Sequence, residues 1–425
     1  MRAAINAANA NGADDIIQFA SGLTTITLTD EIVIANNGAL TITGLGANVF
    51  TINGGDGTNR IFSINFNATV TITGATLTGG NGISTNQNFP NRGGAIASDG
   101  NLTLDRVHIT GNAASGETGG GILFSNGTNT IRHSTFSANY ASSGGAFTCL
   151  NGTLTVFNTT LSGNVVSHGG AGFYSQCSVI LRNVTITRNT GQAGGGLYNG
   201  FGTVNFANTI IAGNTGIDGR HEIIRAPGSH MVSDGNNLVG DEPGDSILDV
   251  LPITYQPSDK RDINPLLGAL QNNGGLTPTH ALLSGSPAID MGNNVQAIDP
   301  SNGNAAITTD QRGSQRYVDG DSNGIPTVDI GAYEFNRTTT VASVTVSGRV
   351  LSGKGSGIAG AVVYLTDSDG NTRTAKTNSF GYYRFEDVAV GETYIFNVFS
   401  KRFQFQPEAV MIREEIENQN FLAVL

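Results

Sequence analysis

Apolar residues along the first half of the chain recur at two spacings at once. Within short stretches they alternate with Thr, Ser and Asn, as in Leu102-Thr103-Leu104 and Leu154-Thr155-Val156. That is the period of a strand with one buried face. Over longer distances each apolar position returns after about 25 residues. One series is Leu104, Ile131, Val156, Leu181 and Phe206, and a second is Ile109, Phe136, Leu161, Ile186 and Ile211. Two places ahead of the first run Leu102, Asn129, Leu154, Val179 and Val204. A further register holds asparagine: Asn112, Asn139, Asn164, Asn189 and Asn214 stand 27, 25, 25 and 25 residues apart. Glycines open each unit, from Gly93-Gly94 to Gly194-Gly195-Gly196. No unit carries a helical apolar stripe, and the Leu-x-x-Leu-x-Leu frame of a leucine-rich repeat is missing.

Such a unit, short strands joined at glycine corners, is one coil of a solenoid. The pattern predicts an all-β protein built on a right-handed parallel β-helix, a single-stranded solenoid with coils of about 25 residues. Successive coils would pair at roughly 4.8 Å, so that each position stacks on its own counterpart. Less regular strands precede the clear repeats: Ile16–Phe19, Thr25–Leu28, Ile32–Ile34, Leu40–Ile42 and Val70–Ile72. Ala3–Ala10 reads as a short N-terminal helix that caps the first exposed edge. The asparagine column reads as a structural ladder, each side-chain amide donating and accepting along the axis. Asn158, Asn183 and Asn208 predict a second, shorter ladder at a corner.

The pattern changes after a polar linker, Arg337-Thr-Thr-Thr340. Val344–Val350, Gly360–Leu365, Thr374–Thr377, Gly381–Phe385 and Tyr394–Val398 alternate over short runs at 10–15-residue spacing. They predict a small β-sandwich over 343–425. Three regions follow: a β-helix with its N-terminal cap over 1–217, an irregular acidic part of the helix over 218–337, and the sandwich.

Charge sharpens the division. The net charge is −11, and only 13% of the 425 residues are charged. Residues 218–340 carry 16 acids against 7 bases, whereas the flanking regions are nearly balanced. No basic stripe exists, which excludes nucleic acid as a partner on electrostatic grounds. No apolar run is long enough for a transmembrane segment. Cys149 and Cys177, the 2 cysteines, are too few for a disulfide framework and lack metal-ligand spacing. Whether they pair is left open.

The opening Arg2-Ala3-Ala4-Ile5-Asn6-Ala7-Ala8-Asn9 resembles the start of bacterial surface proteins with the CSLREA motif. Its Cys-Ser-Leu part is missing and Ala3 replaces the Glu, so the chain starts inside that motif and the signal peptide is expected to be missing with it. Residues 262–335 are similar to the choice-of-anchor Q domain through Asp262–Gly268, Asn273–His280, Gly285–Asp290, Asp310-Gln-Arg-Gly313 and Asp329–Glu334. The sandwich resembles the carboxypeptidase regulatory-like domain, of the prealbumin type. Related Cna B-type domains join a first-strand Lys to a last-strand Asn. Arg349 stands on the first strand here, so no isopeptide bond is expected. These resemblances imply a secreted or cell-surface (outer-membrane) protein without an established catalytic centre.

Parallel β-helices also host polysaccharide lyases and glycoside hydrolases, which makes such an enzyme the alternative function. Hydrolysis needs a carboxylate pair, and lyase chemistry a Lys or Arg base beside an acidic calcium cluster. Between 57 and 217 only Asp99, Asp105 and Glu117 are acidic, no Lys precedes Lys260, and the counterparts of Asp105 are Arg132, Phe157, Arg182 and Ala207. No catalytic residue is assigned, and the expected function is a non-catalytic adhesin or scaffold. Its partner would be a cell-surface glycan or protein; the pattern specifies no oligomeric state. Outward Tyr174 and Tyr198, with Phe157 between Arg132 and Arg182, form the candidate ligand platform. The structural alternative is that these aromatics merely cover glycine. Asp319, Asp321 and Asn323, followed by Gly324 and with Asp329 nearby, have the spacing of oxygen ligands for Ca2+. A solvated acidic turn is the alternative there. His108, His133 and His168 fall in different columns and assemble no metal site, and no other cofactor is called for.

Overall fold

The structure, a computed structural model, describes all residues except 56, 58, 85–88, 220–221, 241–252, 337–342, 368–371, 392 and 425. The linker at 337–340 therefore lies outside the described residues. Two compact units result, Met1–Asn336 and Arg337–Leu425.

The first unit is a parallel β-solenoid of about nine turns. Its coils pair in three parallel sheets of 17, 8 and 5 strands. The 25-residue period appears directly as register: Leu154 lies opposite Val179, Val156 opposite Leu181 and Leu161 opposite Ile186. In the eight-stranded sheet Ile122, Phe147, Phe173 and Leu197 form one column. Phe147 and Phe173 stack with centroids 5.0 Å apart. These side chains are all fully buried. Glycine recurs where coils meet too closely for any side chain. A Cβ on Gly94 would stand 2.0 Å from the Gly120 carbonyl oxygen, and one on Gly120 2.5 Å from that of Gly145.

Helix Arg2–Asn11 ends in left-handed Gly12 and buries Ile5 and Ala8. It seals the first coil through Arg2 Nη1, which donates to the Glu31 carbonyl at 2.7 Å, and Asn9 Nδ2, which donates to Val33 O at 2.9 Å. Close by lies a fully buried ion pair, Arg60 Nη1 to Glu31 Oε1 at 2.7 Å. Strand pairing extends past residue 217, through Leu238–Val239 to Lys260–Arg261.

From there to Asn336 the chain does not add further coils. It folds back along the outside of earlier ones. Thr277 Oγ1 donates to His133 O, and Asn158 Nδ2 donates to Thr309 O. Gln311 bridges Thr135 and Thr160, and the Ala332 N–H donates to Thr185 Oγ1. A second apolar cluster forms beneath it from Ile210, Ala212, Leu238, Leu282, Ala288, Ile289 and Ile330. The cover leaves a trace in the burial pattern: strand Thr153–Ser162 alternates up to Val156 and is then buried on both faces.

The second unit is a two-sheet β-structure. Tyr382–Ala389, Ser343–Leu351 and Phe421–Leu422 form one sheet; Thr372–Lys376, Val362–Thr366, Thr393–Phe399 and Glu408–Met411 form the other. Its core holds Val346, Val363, Leu365, Phe385, Phe396, Val398 and Phe421, a set separate from the solenoid core. Arg349 lies outside that core, its guanidinium 4.6 Å from the Tyr382 ring centroid. Because the unit owns its core, residues 343–425 expressed alone are expected to melt in one cooperative transition followed by circular dichroism. A chain that stays unfolded would contradict this.

Candidate functional site

The asparagine column is continuous. Nδ2 of Asn112, Asn139, Asn164 and Asn189 donates to Oδ1 of the next asparagine at 2.9–3.1 Å. Each Nδ2 also donates to a carbonyl of the preceding coil, and each backbone N–H to the next Oδ1, as for Asn164 with Phe136 O and Asn189 Oδ1. Glu222 closes the end, accepting from Asn214 Nδ2 at 2.6 Å. Every amide is engaged along the axis, which leaves none to address a ligand.

The expected corner ladder is not formed. Asn158, Asn183 and Asn208 all have positive φ, at 45°, 53° and 49°. Asparagine suits that left-handed conformation. Their side chains turn instead to the folded-back segment: Asn183 Nδ2 donates to Asp329 O, and Asn208 Nδ2 to Asn293 O. Asn158 Oδ1 accepts from Arg316 Nη2 at 2.6 Å. An outward corner pointing to solvent has no reason to ladder once a second layer offers better partners.

Of the candidate ligand platform, only part is accessible. Tyr174 and Tyr198 are half-buried with ring centroids 5.4 Å apart. They lie over glycine, for a Cβ on Gly200 would meet the Tyr174 hydroxyl at 2.5 Å and one on Gly169 the Tyr198 ring at 2.9 Å. Phe157, expected to point outward, is only 2% exposed. It sits in register with Arg132 and Arg182, with its ring edge-on to His133 at 5.7 Å. Arg182 is also buried and donates to Asp234 at 2.7 Å. Both are covered by neighbouring coils: Phe157 lies between the Arg132 and Arg182 positions against His133, and Arg182 is held by Asp234 of a later coil.

The acids of the coils are engaged. Asp105 meets Arg106 at 2.9 Å, His133 at 3.1 Å and Arg132 at 3.3 Å. Burial alone would raise its pKa, but the His133 hydrogen bond and the Arg132 and Arg106 charges hold it below the ordinary carboxylate value. Asp99 accepts from Asn126 at 2.5 Å, and Glu117 pairs with Arg92 at 3.2 Å. Burial pushes His108 down to about 4, and His280 likewise. Both are neutral at pH 7 and serve as hydrogen-bonding core groups, His280 with Ser162 and Gly268 O.

The acidic loop at 319–324 is folded on itself. Asp319 accepts from the N–H groups of Asn323 and Gly324, and Asp321 accepts from the N–H and Nδ2 of Asn323. Asn323 Oδ1 is occupied by the Ile325 N–H. The carboxylates of Asp319 and Asp321 nevertheless approach a third acid, Asp290, with ligand atoms within 4.8 Å of one another. Asp329 belongs to a different group, with Asp290 and Glu334, again within 4.8 Å. Asp290 is thus the hinge between an exposed pair and a buried pair. Burial pushes Glu334 up to about 9 despite the Arg316 charge 3.2 Å away, and Asp329 up to about 7 despite two backbone N–H donors. Asp290 rises to about 6, first through burial and then through the facing Asp321. Sequence spacing missed Asp290 and Glu334 as members of this cluster, because no local motif links residues so far apart. Both lay within the stretches Gly285–Asp290 and Asp329–Glu334 that carried the anchor-domain resemblance.

Cys149 and Cys177 form a disulfide with Cα atoms 5.7 Å apart, tying neighbouring coils. Among the described residues no helix is long and apolar enough to cross a membrane. No curated protein and no solved structure matches this chain. Residues 345–418, within the unit that has its own β-core, match the carboxypeptidase regulatory-like domain family.

Proposed function

We propose that the protein is a non-catalytic scaffold of the cell surface or extracellular space, in which a stiff solenoid acts as a spacer for recognition surfaces. The observation that carries this reading is the state of the coil acids. Asp99, Asp105 and Glu117 are each committed to an amide, guanidinium or imidazole partner, so none stands as the free acid or base that glycan cleavage requires. Eight rungs in one sheet at ~4.8 Å spacing make a rod roughly 35–40 Å long. The Cys149–Cys177 bond suits an oxidising, extracytoplasmic setting, as does the resemblance of residues 262–335 to choice-of-anchor Q domains. Tyr174 and Tyr198 supply the accessible aromatic pair for a glycan contact.

The test is incubation of the purified protein with pectins and neutral glycans, read by release of unsaturated or reducing ends. No release above the blank is expected. Release that disappears in Asp99→Asn or Asp105→Asn would establish the lyase or hydrolase alternative instead.

A further inference from the structure

We propose that the buried carboxylates of Asp290, Asp329 and Glu334 form a calcium site that locks the folded-back segment to the solenoid. Asp290 is 7% exposed, Asp329 fully buried and Glu334 1% exposed. Their ligand oxygens all lie within 4.8 Å of one another, a span that oxygens on one Ca2+ at 2.3–2.6 Å can occupy. Two carboxylate oxygens of these residues, Asp290 Oδ1 and Glu334 Oε1, are buried with no hydrogen-bond partner among the described residues. Buried polar atoms are ordinarily satisfied, so two orphans on the carboxylates of one acidic cluster point to a missing cation. A third orphan, Asn183 Oδ1, belongs to the side chain whose Nδ2 donates to the Asp329 carbonyl.

Charge gives the valence. Three carboxylates face one guanidinium, Arg316, which bonds Glu334. With all three ionised around a bound ion, two negative charges would remain, and a divalent ion cancels them. The all-oxygen donor set, with neither imidazole nor thiolate, selects a hard cation. Mg2+ keeps its waters and demands a regular octahedron, whereas Ca2+ accepts an irregular, largely dehydrated cage. The carboxylates of half-buried Asp319 and exposed Asp321 are a weaker site, because their oxygens already accept from Asn323 and Gly324. They adjoin the buried cluster through Asp290, which both groups share.

The site spans two points of the segment 39 residues apart, joined by the Asp290 N–H to Asp329 Oδ1 bond. Asn183, Asn158 and Arg316 connect it to the coils. Calcium would therefore hold segment and solenoid together.

The test uses the full chain, stripped with chelator and titrated with CaCl2 by calorimetry at pH 7.5, with MgCl2 in parallel. One Ca2+ per chain should bind, and the melting temperature should rise with calcium but little with magnesium. Glu334→Gln, which keeps the shape, should bind on the order of tenfold more weakly or worse through loss of a charged ligand. Asp321→Asn should retain binding. Absence of heat and of any thermal shift in the unmutated chain overturns the site and means that protons neutralise the cluster. Binding kept in Glu334→Gln but lost in Asp321→Asn also overturns it, by moving the ion to the exposed loop. If Glu334→Gln fails to fold, Asp321→Asn on the loop still decides: binding retained there supports the buried site, and binding lost overturns it.

Discussion

Asn164→Leu is expected to destabilise the solenoid by roughly 3–5 kcal/mol in a denaturant titration, since several buried groups lose partners worth about 1–3 kcal/mol each. Leucine fills a similar volume but returns none of the bonds. The N–H and Nδ2 of Asn139 lose their shared acceptor, Asn164 Oδ1, and the Phe136 carbonyl loses its donor. All of these lie in the interior, where water does not replace them. The neighbouring coils stack directly on the site, so the effect should spread along the axis as reduced amide protection at Asn139 and Asn189. A loss below about 1 kcal/mol would mean that the column is dispensable and reopen a binding role for it.

Arg316→Met should cost a similar amount, about 3–5 kcal/mol, because it strands buried polar groups on both sides of an interface. The Arg316 guanidinium is fully buried and joins Glu334 Oε2 at 3.2 Å, Asn158 Oδ1 at 2.6 Å and the Gly331 carbonyl at 3.0 Å. The first and third partners belong to the folded-back segment and the second to a coil corner. Removing the cation leaves Glu334 and Asn158 facing each other's layer without a bridge. Hydrogen exchange should then rise over 288–334, while amides of the asparagine ladder keep their protection. Uniform loss across the solenoid would show instead that segment and coils unfold as one. Unchanged exchange throughout would show that Arg316 is not the clasp.

The solenoid, its register and its polar spine can be read from the residues alone. A coil touches chiefly the coils before and after it, so each contact recurs at an offset near 25 residues and can be counted. The columns Leu104–Phe206 and Ile109–Ile211, the ladder Asn112–Asn214 and the capping helix follow from that locality. The separate C-terminal β-unit was legible for a related reason, since its strands pair within a short stretch and have their own apolar set. The tertiary structure alone decided what lies on the outside. Gln311 reaches Thr160 across 151 residues, Arg316 reaches Asn158 across 158, and Asn183 reaches Asp329 across 146. No period marks such pairs. In the structure they show as the doubly buried run after Val156, whose residues Asn158, Thr159 and Thr160 are polar and gave no sign of it. That second layer turned the corner asparagines away from one another and brought Asp290, Asp329 and Glu334 into one centre. Strand period reports which side of a coil faces inward; what covers the other side depends on where the rest of the chain returns.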